Sequence, residues 1–359
     1  MPIVPAGGLV LVTGANGYVA GVTIQKLLDA GFKVRGTVRS IEKNNWMLDH
    51  YGSNFTLVEV PELSADGALD EAVKGVDGIA NVASSVAFNP DPDAFIPPVI
   101  KGAINVLEAA AKEPSVKSVV YTSSQAACIH LEPGKPYSIT PETYNEGCLN
   151  AAWTWEDKDD KSMTRMLVNY ECAKTASEKN SFEWVEKNKP HFTFNSVVPN
   201  VNFGTMVSLE NTGFPSSSSL LKMIWEGNTM PAFMIPPEWY VDVEDTALLH
   251  IAALTQPDVQ NERVLAFGGR FNYNEILDLF RKLVPDRAFL KDIDEPPSDQ
   301  GTVDNSRGTE LLKRLGKPGG FSTLEEAITK WVPFILKSEN MDLPETAADR
   351  LRKSLEEKT

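Results

Sequence analysis

Short apolar segments alternate with amphipathic helical patterns through residues 9–198. This alternation constrains the fold more than any other feature, because repeated βα units build a parallel sheet with helices on both faces. The apolar runs that we predict as strands are residues 9–14, 33–39, 55–60, 78–83, 118–123 and 192–198. Helical periodicity fits residues 18–30, 66–74, 97–112 and 164–188. The sequence therefore predicts an α/β fold with a doubly wound parallel sheet.

A glycine-rich turn follows the first predicted strand and precedes the first predicted helix. Gly14 allows the tight turn, Gly17 allows close approach of the backbone to a ligand, and Ala20 lets the helix pack on the sheet. The amides at the start of such a helix point at a pyrophosphate. This context indicates a dinucleotide-binding, Rossmann-type fold, and the predicted contacts in the turn are Thr13, Gly14, Asn16, Gly17, Tyr18 and Val19.

The end of the second predicted strand indicates which dinucleotide binds. An NAD enzyme commonly carries Asp or Glu about twenty residues after the glycines, to hold the ribose 2′-hydroxyl. This chain has Arg39 there, with Lys43 four residues on. Both cations can neutralise a 2′-phosphate, so we predict NADPH rather than NADH. Arg35, on the same strand, is interpreted as structural.

Hydroxyl and amine side chains suited to carbonyl chemistry stand in two places. The fifth predicted strand ends in Thr122, Ser123 and Ser124, and a downstream helix carries Tyr170 and Lys174 on one face, four residues apart. The two serines point to opposite sides if both are extended, so spacing alone leaves the choice between them open.

Together with the glycine turn, these residues resemble the extended short-chain dehydrogenase/reductase family over almost the whole chain. Four segments are similar to one branch of this family, which contains dihydroflavonol 4-reductases and yeast and fungal NADPH-dependent aldehyde, methylglyoxal and carbonyl reductases. These segments are LVLVTGANGYVA, KVRGTVRS, KPHFTFNSVVPN and SRGTELLKRLGKPG. The resemblance implies reduction of a ketone or aldehyde to an alcohol, with Tyr170 as proton donor. It also implies that Lys174 lowers the pKa of Tyr170 and hydrogen-bonds the nicotinamide ribose, so that Tyr170 and Lys174 both contact the cofactor. Ser124 is then the serine that binds the carbonyl oxygen.

The resemblance implies further cofactor contacts and one departure. The contacts lie near the adenine, the nicotinamide and the phosphates, at Glu62, Leu63, Ala83, Pro199, Asn202 and Ser217. Glu62 stands where many relatives have Asp. Related enzymes often carry an Asn that positions a water in a proton relay, and our register places Val99 there, while Asn105 is interpreted as structural.

The chain is predicted to form two parts. Residues 1–200 form the NADPH-binding domain, which includes the catalytic residues, and residues 201–359 form mainly a smaller substrate-binding lobe, with some chain returning to the sheet. Helical periodicity in the second part fits 272–283, 306–315 and 323–337. The predicted pocket walls are mostly apolar or aromatic, as a small carbonyl substrate requires, and comprise Val86, Phe88, Phe95, Ala126, Trp225, Ile235, Glu238 and Trp239. Residues 132–163 are either a lid or a solvated excursion.

Charge and cysteine content exclude other classes of function. A net charge of -15 repels nucleic acids and anionic membranes. We find no signal peptide and no window of about 20 apolar residues, so we predict a soluble, cytoplasmic monomer or homodimer without nucleic-acid or membrane partners. Cys128, Cys148 and Cys172 lack CxxC spacing, which predicts reduced packing residues and no metal site.

Two other functions share parts of this pattern. A nucleotide-sugar epimerase or dehydratase has the same glycine turn and tyrosine–lysine pair but retains NAD, which Arg39 disfavours. A non-catalytic NADP sensor has no need of Ser124, Tyr170 and Lys174 together.

Overall fold

The computed structural model describes residues 3–83, 89–346 and 349–350. Its main sheet is parallel throughout and has the strand order β10-β7-β5-β4-β1-β2-β3. These strands are β1 (Leu9–Val12), β2 (Lys33–Val38), β3 (Phe55–Glu59), β4 (Gly78–Asn81), β5 (Ser118–Thr122), β7 (Thr193–Pro199) and β10 (Arg263–Ala266). The predicted fold is confirmed, and the ends of the six predicted strands are displaced by one or two residues. The strand order reverses between β1 and β4, where open parallel sheets bind their ligands.

Helices cover both faces of this sheet and build the second lobe. They are α1 (Tyr18–Asp29), α2 (Ile41–Asn44), α3 (Trp46–Tyr51), α4 (Pro92–Lys112), α5 (Glu146–Thr154), α6 (Met163–Asn188), α7 (Leu209–Thr212), α8 (Ser218–Trp225), α9 (Pro231–Met234), α10 (Val243–Thr255), α11 (Tyr273–Leu283), α12 (Ser306–Arg314) and α13 (Leu324–Ser338). A short 3₁₀ helix spans Gln125–Ala127.

The predicted helix at 66–74 is wrong, because the chain there forms consecutive turns. Gly67 and Gly75 have φ of +68° and +69°, a left-handed conformation that interrupts an α-helix. Leu69, Ala72 and Val73 are nevertheless buried in the core on one face of the sheet. Burial on one side therefore produced the apolar periodicity without a helix.

Helix α4 begins earlier than predicted and is more apolar than expected. The Asp91 side chain accepts hydrogen bonds from the amides of Asp93 and Ala94, and Pro92 occupies the first turn. By length and composition α4 could cross a membrane, with a mean hydropathy of 1.3, which corrects the expectation that no window approaches such a span. Half of that window is buried inside the structure, where α4 packs against α6, β4 and β5.

The second lobe has its own sheet and an aromatic core. Its strands β8 (Val201–Phe203), β9 (Trp239–Asp242) and β11 (Gly269–Arg270) lie in the order β11-β9-β8. Buried aromatic residues from helices and loops pack together there, including Phe214, Phe271, Tyr273, Phe280 and Trp331. Helix α10 and strand β10 return from this lobe to the main sheet, so the two parts share one framework.

Residues 132–163 are held to the rest of the fold through their first half. Strand β6 (Ser138–Ile139) pairs with β12 (Thr302–Val303). Arg263 of β10 donates hydrogen bonds from Nη1 to the carbonyl oxygens of Pro141 and Thr143, at 2.6 and 2.7 Å. The same guanidinium forms a buried ion pair with Glu178 of α6. These contacts fix the first half of the segment.

Candidate active site

The glycine turn lies at the carboxyl end of β1 and touches the end of β4. Gly14 has φ +63°, and a Cβ atom there would lie 3.1 Å from Ala83 Cα, so this position requires glycine. Thr13 is fully buried. Its hydroxyl donates to Asn81 Oδ1 at 2.8 Å and accepts from the Ala83 amide at 2.9 Å. The Thr13 side chain thus holds the turn in place beside Ala83.

The start of α1 fits a pyrophosphate group. Gly17 is the N-cap residue and provides no side-chain cap, so the first-turn amides, including that of Val19, lack the usual acceptor from an N-cap side chain. Asn16 and Gly17 are exposed at the tip of the turn. The Tyr18 hydroxyl donates to Gly204 O at 3.2 Å, so this side chain anchors the second lobe. These residues fit a dinucleotide cofactor.

Basic residues follow β2, beside this turn. Arg39 and Lys43 are both exposed, and within the described ranges neither donates a side-chain hydrogen bond. Arg35 instead donates to the carbonyl oxygens of Ala72 and Lys74, each at 2.8 Å, which matches its structural interpretation. The two exposed cations are therefore available to an anionic group.

The expected adenine contacts follow β3. Glu62 is exposed, and hydrogen bonds from Ser64 hold the pKa of its carboxyl below the usual value, with a smaller effect from Arg39. Leu63 is half-buried and lies against Gly102 of α4. Asn105 donates to the carbonyl oxygens of Leu63 and Ala65, at 2.9 Å each, so its role is structural as interpreted from the sequence.

Ser124, Tyr170 and Lys174 come together at the carboxyl end of β5. The Ser124 hydroxyl hydrogen-bonds with the Tyr170 phenol and also accepts from the Ala126 amide at 3.2 Å. Lys174 is 3% exposed, and its Nζ donates to Thr122 O at 2.9 Å. Ser123 is buried, and its hydroxyl meets no hydrogen-bond partner among the described residues. This geometry favours Ser124 over Ser123 as the serine beside the tyrosine.

The charges of this group differ from the sequence expectation. Burial raises the pKa of Tyr170, and only the hydrogen bond from Ser124 opposes that shift. Burial lowers the pKa of Lys174 to about 8, and the Glu178 carboxylate opposes that change. The expected lowering of the tyrosine pKa by Lys174 is absent from the structure, because the ammonium is directed to Thr122 O. Tyr170 consequently holds its proton at neutral pH, as a proton donor must.

The residues expected beside the nicotinamide and phosphates are largely bonded to one another. Pro199 ends β7 and is buried. The Asn202 side chain accepts from Thr246 Oγ1 at 2.7 Å and donates to Asn200 O at 3.0 Å. Ser217 donates to Asn202 O at 2.6 Å. These contacts orient the start of the second lobe above the sheet edge.

Seven of the eight expected pocket walls separate into three groups. Val86 and Phe88 lie outside the described residues. Phe95 is buried in the apolar cluster that Tyr170 and Val99 pack against, and Ala126 follows Ser124, so both lie near the tyrosine. Ile235, Glu238 and Trp239 lie in and beside the segment that enters β9.

Trp225 is not a pocket wall. It is 4% exposed, and its ring packs edge-on against Phe280, Phe289 and Trp331 at centroid distances of 5.0, 4.9 and 6.0 Å. The apolar face of α8 points into the second-lobe core, so this aromatic residue serves packing.

Glu238 carries a buried carboxyl with unsatisfied hydrogen-bonding capacity. It is 5% exposed, and its Oε2 meets no partner within the part of the chain that the structure describes. Burial raises the pKa of Glu238 to about 8, while contact with Asn200 opposes that shift. The side chain is therefore a neutral acid at neutral pH.

This raised pKa predicts a pH-dependent stability. The unfolded carboxyl ionises near its ordinary value while the folded one keeps its proton, so the stabilisation present below about pH 4 is lost as pH rises towards about 8. Glu238→Gln does not titrate. We expect the free energy of unfolding of this variant, measured relative to that of the native chain, to rise by on the order of a few kcal/mol from pH 5 to pH 8. Urea denaturation at both pH values measures this, and a constant difference would contradict it.

The sequence reasoning missed the polar residues that support this site. Asn169, next to Tyr170, is fully buried and donates to the carbonyl oxygens of Asn89 and Pro90, each at 2.9 Å. Thr122 and His250 are 2.7 Å apart although 128 positions separate them in the chain. No local pattern could have found these contacts. Across the described ranges, no group of three or more His, Cys, Asp or Glu side chains could hold a metal ion.

Relatives of known class match nearly the whole chain. Residues 10–148 match the model of the NAD dependent epimerase/dehydratase family. Aldehyde reductase 2 from Sporidiobolus salmonicolor is 36% identical over 333 residues, which cover 91% of this chain and 95% of that protein. An NAD-dependent epimerase/dehydratase from Aspergillus terreus is 38% identical over 333 residues, which cover 91% and 96%.

A solved structure with a similar fold contains a dinucleotide. The yeast methylglyoxal/isovaleraldehyde reductase in complex with NADPH has a TM-score of 0.77 and 25% sequence identity to this chain. The likeness covers 92% of this chain and 99% of that one.

Proposed function

This chain belongs to the extended short-chain dehydrogenase/reductase family, and from that premise we propose that it reduces a ketone or aldehyde to an alcohol with NADPH. The observation that carries the proposal is the hydrogen-bonded pair of Ser124 and Tyr170, with buried Lys174 one helical turn on. The similarity to an aldehyde reductase and to an NADPH-bound reductase supports the same reaction.

When bound, NADPH supplies a hydride to the carbonyl carbon of the substrate. Ser124 donates a hydrogen bond to the carbonyl oxygen, where negative charge develops. Tyr170 gives its phenolic proton to that oxygen, and its raised pKa keeps the proton available until then. Lys174 lies on the same helix face, and Thr122 O holds its ammonium at 2.9 Å.

The proton that Tyr170 loses returns by a route that does not use the relay Asn of the family. Val99 is half-buried and packs against the same apolar cluster as Tyr170, and its side chain has no polar atom. Lys174, four residues along the same helix and with a pKa of about 8, can return a proton near neutral pH.

Arg39 accounts for the proposed preference for NADPH. Arg39→Asp removes a cation and adds an anion beside the ribose site, so we expect the preference for NADPH over NADH to fall about 10- to 100-fold. The ratio of kcat/KM for the two cofactors measures this change. Lys33→Asp, the same charge change at the exposed opposite end of β2, is the matched control and should leave the ratio unaltered. An unaltered ratio in Arg39→Asp would show that the 2′-phosphate is held elsewhere.

Loss of NADPH absorbance in the near ultraviolet tests the function. We expect turnover when the purified protein meets NADPH with a panel of ketoesters, aromatic ketones and aldehydes. Consumption of none of them would contradict the proposal.

A second candidate function comes from the epimerase/dehydratase name of the Aspergillus terreus relative. Such enzymes retain NAD through their cycle, so the denatured protein should then release NAD. A nucleotide sugar converted without net NADPH consumption would favour this candidate. The exposed Arg39 at the end of β2 disfavours it.

We further propose that the enzyme is soluble and cytoplasmic, and acts as a monomer or homodimer on a small carbonyl substrate. The net charge of -15 and the packing of α4 within the structure support this assignment. Nucleic-acid and membrane partners are not part of the proposal.

A further inference from the structure

A buried chain of hydrogen bonds leads away from the catalytic lysine. Lys174 Nζ donates to Thr122 O at 2.9 Å, and Thr122 Oγ1 lies 2.7 Å from His250 Nε2. The three residues are 3%, 7% and 0% exposed, respectively. Their hydrogen bonds are therefore shielded from water, where orientation matters most.

The protonation state of His250 follows from its two partners. Its Nδ1 lies 2.7 Å from Thr246 O, a carbonyl that can only accept, so Nδ1 carries the hydrogen. Burial lowers the pKa of His250 to about 4, so the ring is neutral and Nε2 is an acceptor. The Thr122 hydroxyl must then donate to Nε2. The ring fixes this hydroxyl in one orientation.

Helix α10, which carries His250, continues this series of hydrogen bonds into the second lobe. Thr246 Oγ1 donates to Asn202 Oδ1 at 2.7 Å, and Ser217 donates to Asn202 O at 2.6 Å. His250 and Thr246 both lie on α10, which packs against β5, β7 and β8. One helix thus connects the end of β5, where Lys174 is held, with the first strand of the second lobe.

We propose that His250 is a positioning residue for the reductase reaction, acting on Lys174 through Thr122. This inference rests on the proposed function. Thr122 provides two groups: its carbonyl holds the ammonium of Lys174, and its hydroxyl holds His250. Ser124 follows two residues later on the same strand end. A shift of the Thr122 backbone therefore moves Lys174 relative to Tyr170 and moves Ser124 relative to the substrate carbonyl.

A merely structural role for His250 predicts something different. In that case the imidazole only satisfies buried polar groups, and its loss lowers stability while leaving the rate of the chemical step unchanged. The positioning role predicts a lower kcat with unchanged affinity for NADPH.

Thr122→Val distinguishes the two roles, because it keeps the carbonyl that holds Lys174 and removes only the hydroxyl that reaches His250. We expect kcat to fall about tenfold or more, as displacement of catalytic groups by an ångström or less can cause. The dissociation constant for NADPH, measured by fluorescence titration, should not change. Thr122→Ser restores the hydroxyl and should recover most of the rate.

Thr255→Val is the matched control. Thr255 also lies buried on α10, and its hydroxyl donates to Ile251 O on the same helix, outside the chain described above. Its kcat should match that of the native chain. If Thr122→Val does not fold, His250→Leu against His250→Gln makes the same comparison, since glutamine retains an acceptor and a donor.

The possible outcomes separate the inference from the proposed function. Equal kcat in the native chain and Thr122→Val overturns the positioning role and leaves the reductase function standing. A loss that Thr122→Ser fails to recover also overturns it. A native chain that reduces no carbonyl with NADPH overturns the function and, with it, this inference.

Discussion

Tyr170→Phe should lose most of its turnover, by about 10²- to 10⁴-fold in kcat, because the substitution removes the proton that the carbonyl oxygen receives. The loss should fall on kcat with little change in NADPH affinity, since the ring that packs on the cluster around Phe95 is retained. Steady-state kinetics and fluorescence titration of NADPH measure the two quantities.

Tyr240→Phe is the control for this substitution. The Tyr240 hydroxyl is also buried and donates to a backbone carbonyl, that of Ser322, at 3.1 Å. Its removal is expected to reduce stability by about 1 kcal/mol and to leave kcat unchanged. Normal activity in Tyr170→Phe would refute the tyrosine as the acid.

The second large effect concerns stability. Glu178→Gln should destabilise the protein by about 3–5 kcal/mol, because it leaves the Arg263 guanidinium buried without its counter-ion. Arg263 Nε and Nη2 each lie 3.0 Å from a Glu178 carboxylate oxygen, and the two side chains are 5% and 0% exposed. Ser196 donates to the same carboxylate at 2.5 Å. Urea denaturation measures the loss.

Glu71→Gln provides the matched comparison. Glu71 also pairs with a cation, Lys74, but the two side chains are 80% and 62% exposed, so we expect a change of about 1 kcal/mol or less. Equal effects of the two substitutions would contradict the account. The segment that Arg263 holds through Pro141 and Thr143 should also become more sensitive to proteases in Glu178→Gln.

Local patterns in the sequence predicted the main sheet, the glycine turn and the placement of Tyr170 and Lys174 on one helix face, whereas the choice of Ser124 over Ser123 followed from the family resemblance. These features depend on periodicity or on short spacing, which a sequence displays directly. The helix predicted at 66–74 is wrong because it relied on periodicity alone. An apolar face indicates which residues are buried, whereas the left-handed conformations of Gly67 and Gly75 determine the backbone there.

Contacts between distant parts of the chain could not be predicted. Trp225 was expected in the pocket because it lies near loops, yet its partner Trp331 is more than a hundred positions away. Thr122 and His250 look like an ordinary strand residue and an ordinary helix residue until the fold places them 2.7 Å apart. The raised pKa of Tyr170 likewise depends on burial, which the spacing to Lys174 does not report.

Transfer of deuterium tests the central claim most directly. The native protein is incubated with NADPH that carries deuterium at both C4 positions and with a ketone that it consumes, and the alcohol is analysed by mass spectrometry and NMR. The reductase assignment predicts one deuterium atom on the carbinol carbon of the product. Absence of an alcohol from every ketone tested, or an alcohol without deuterium at that carbon, would contradict it.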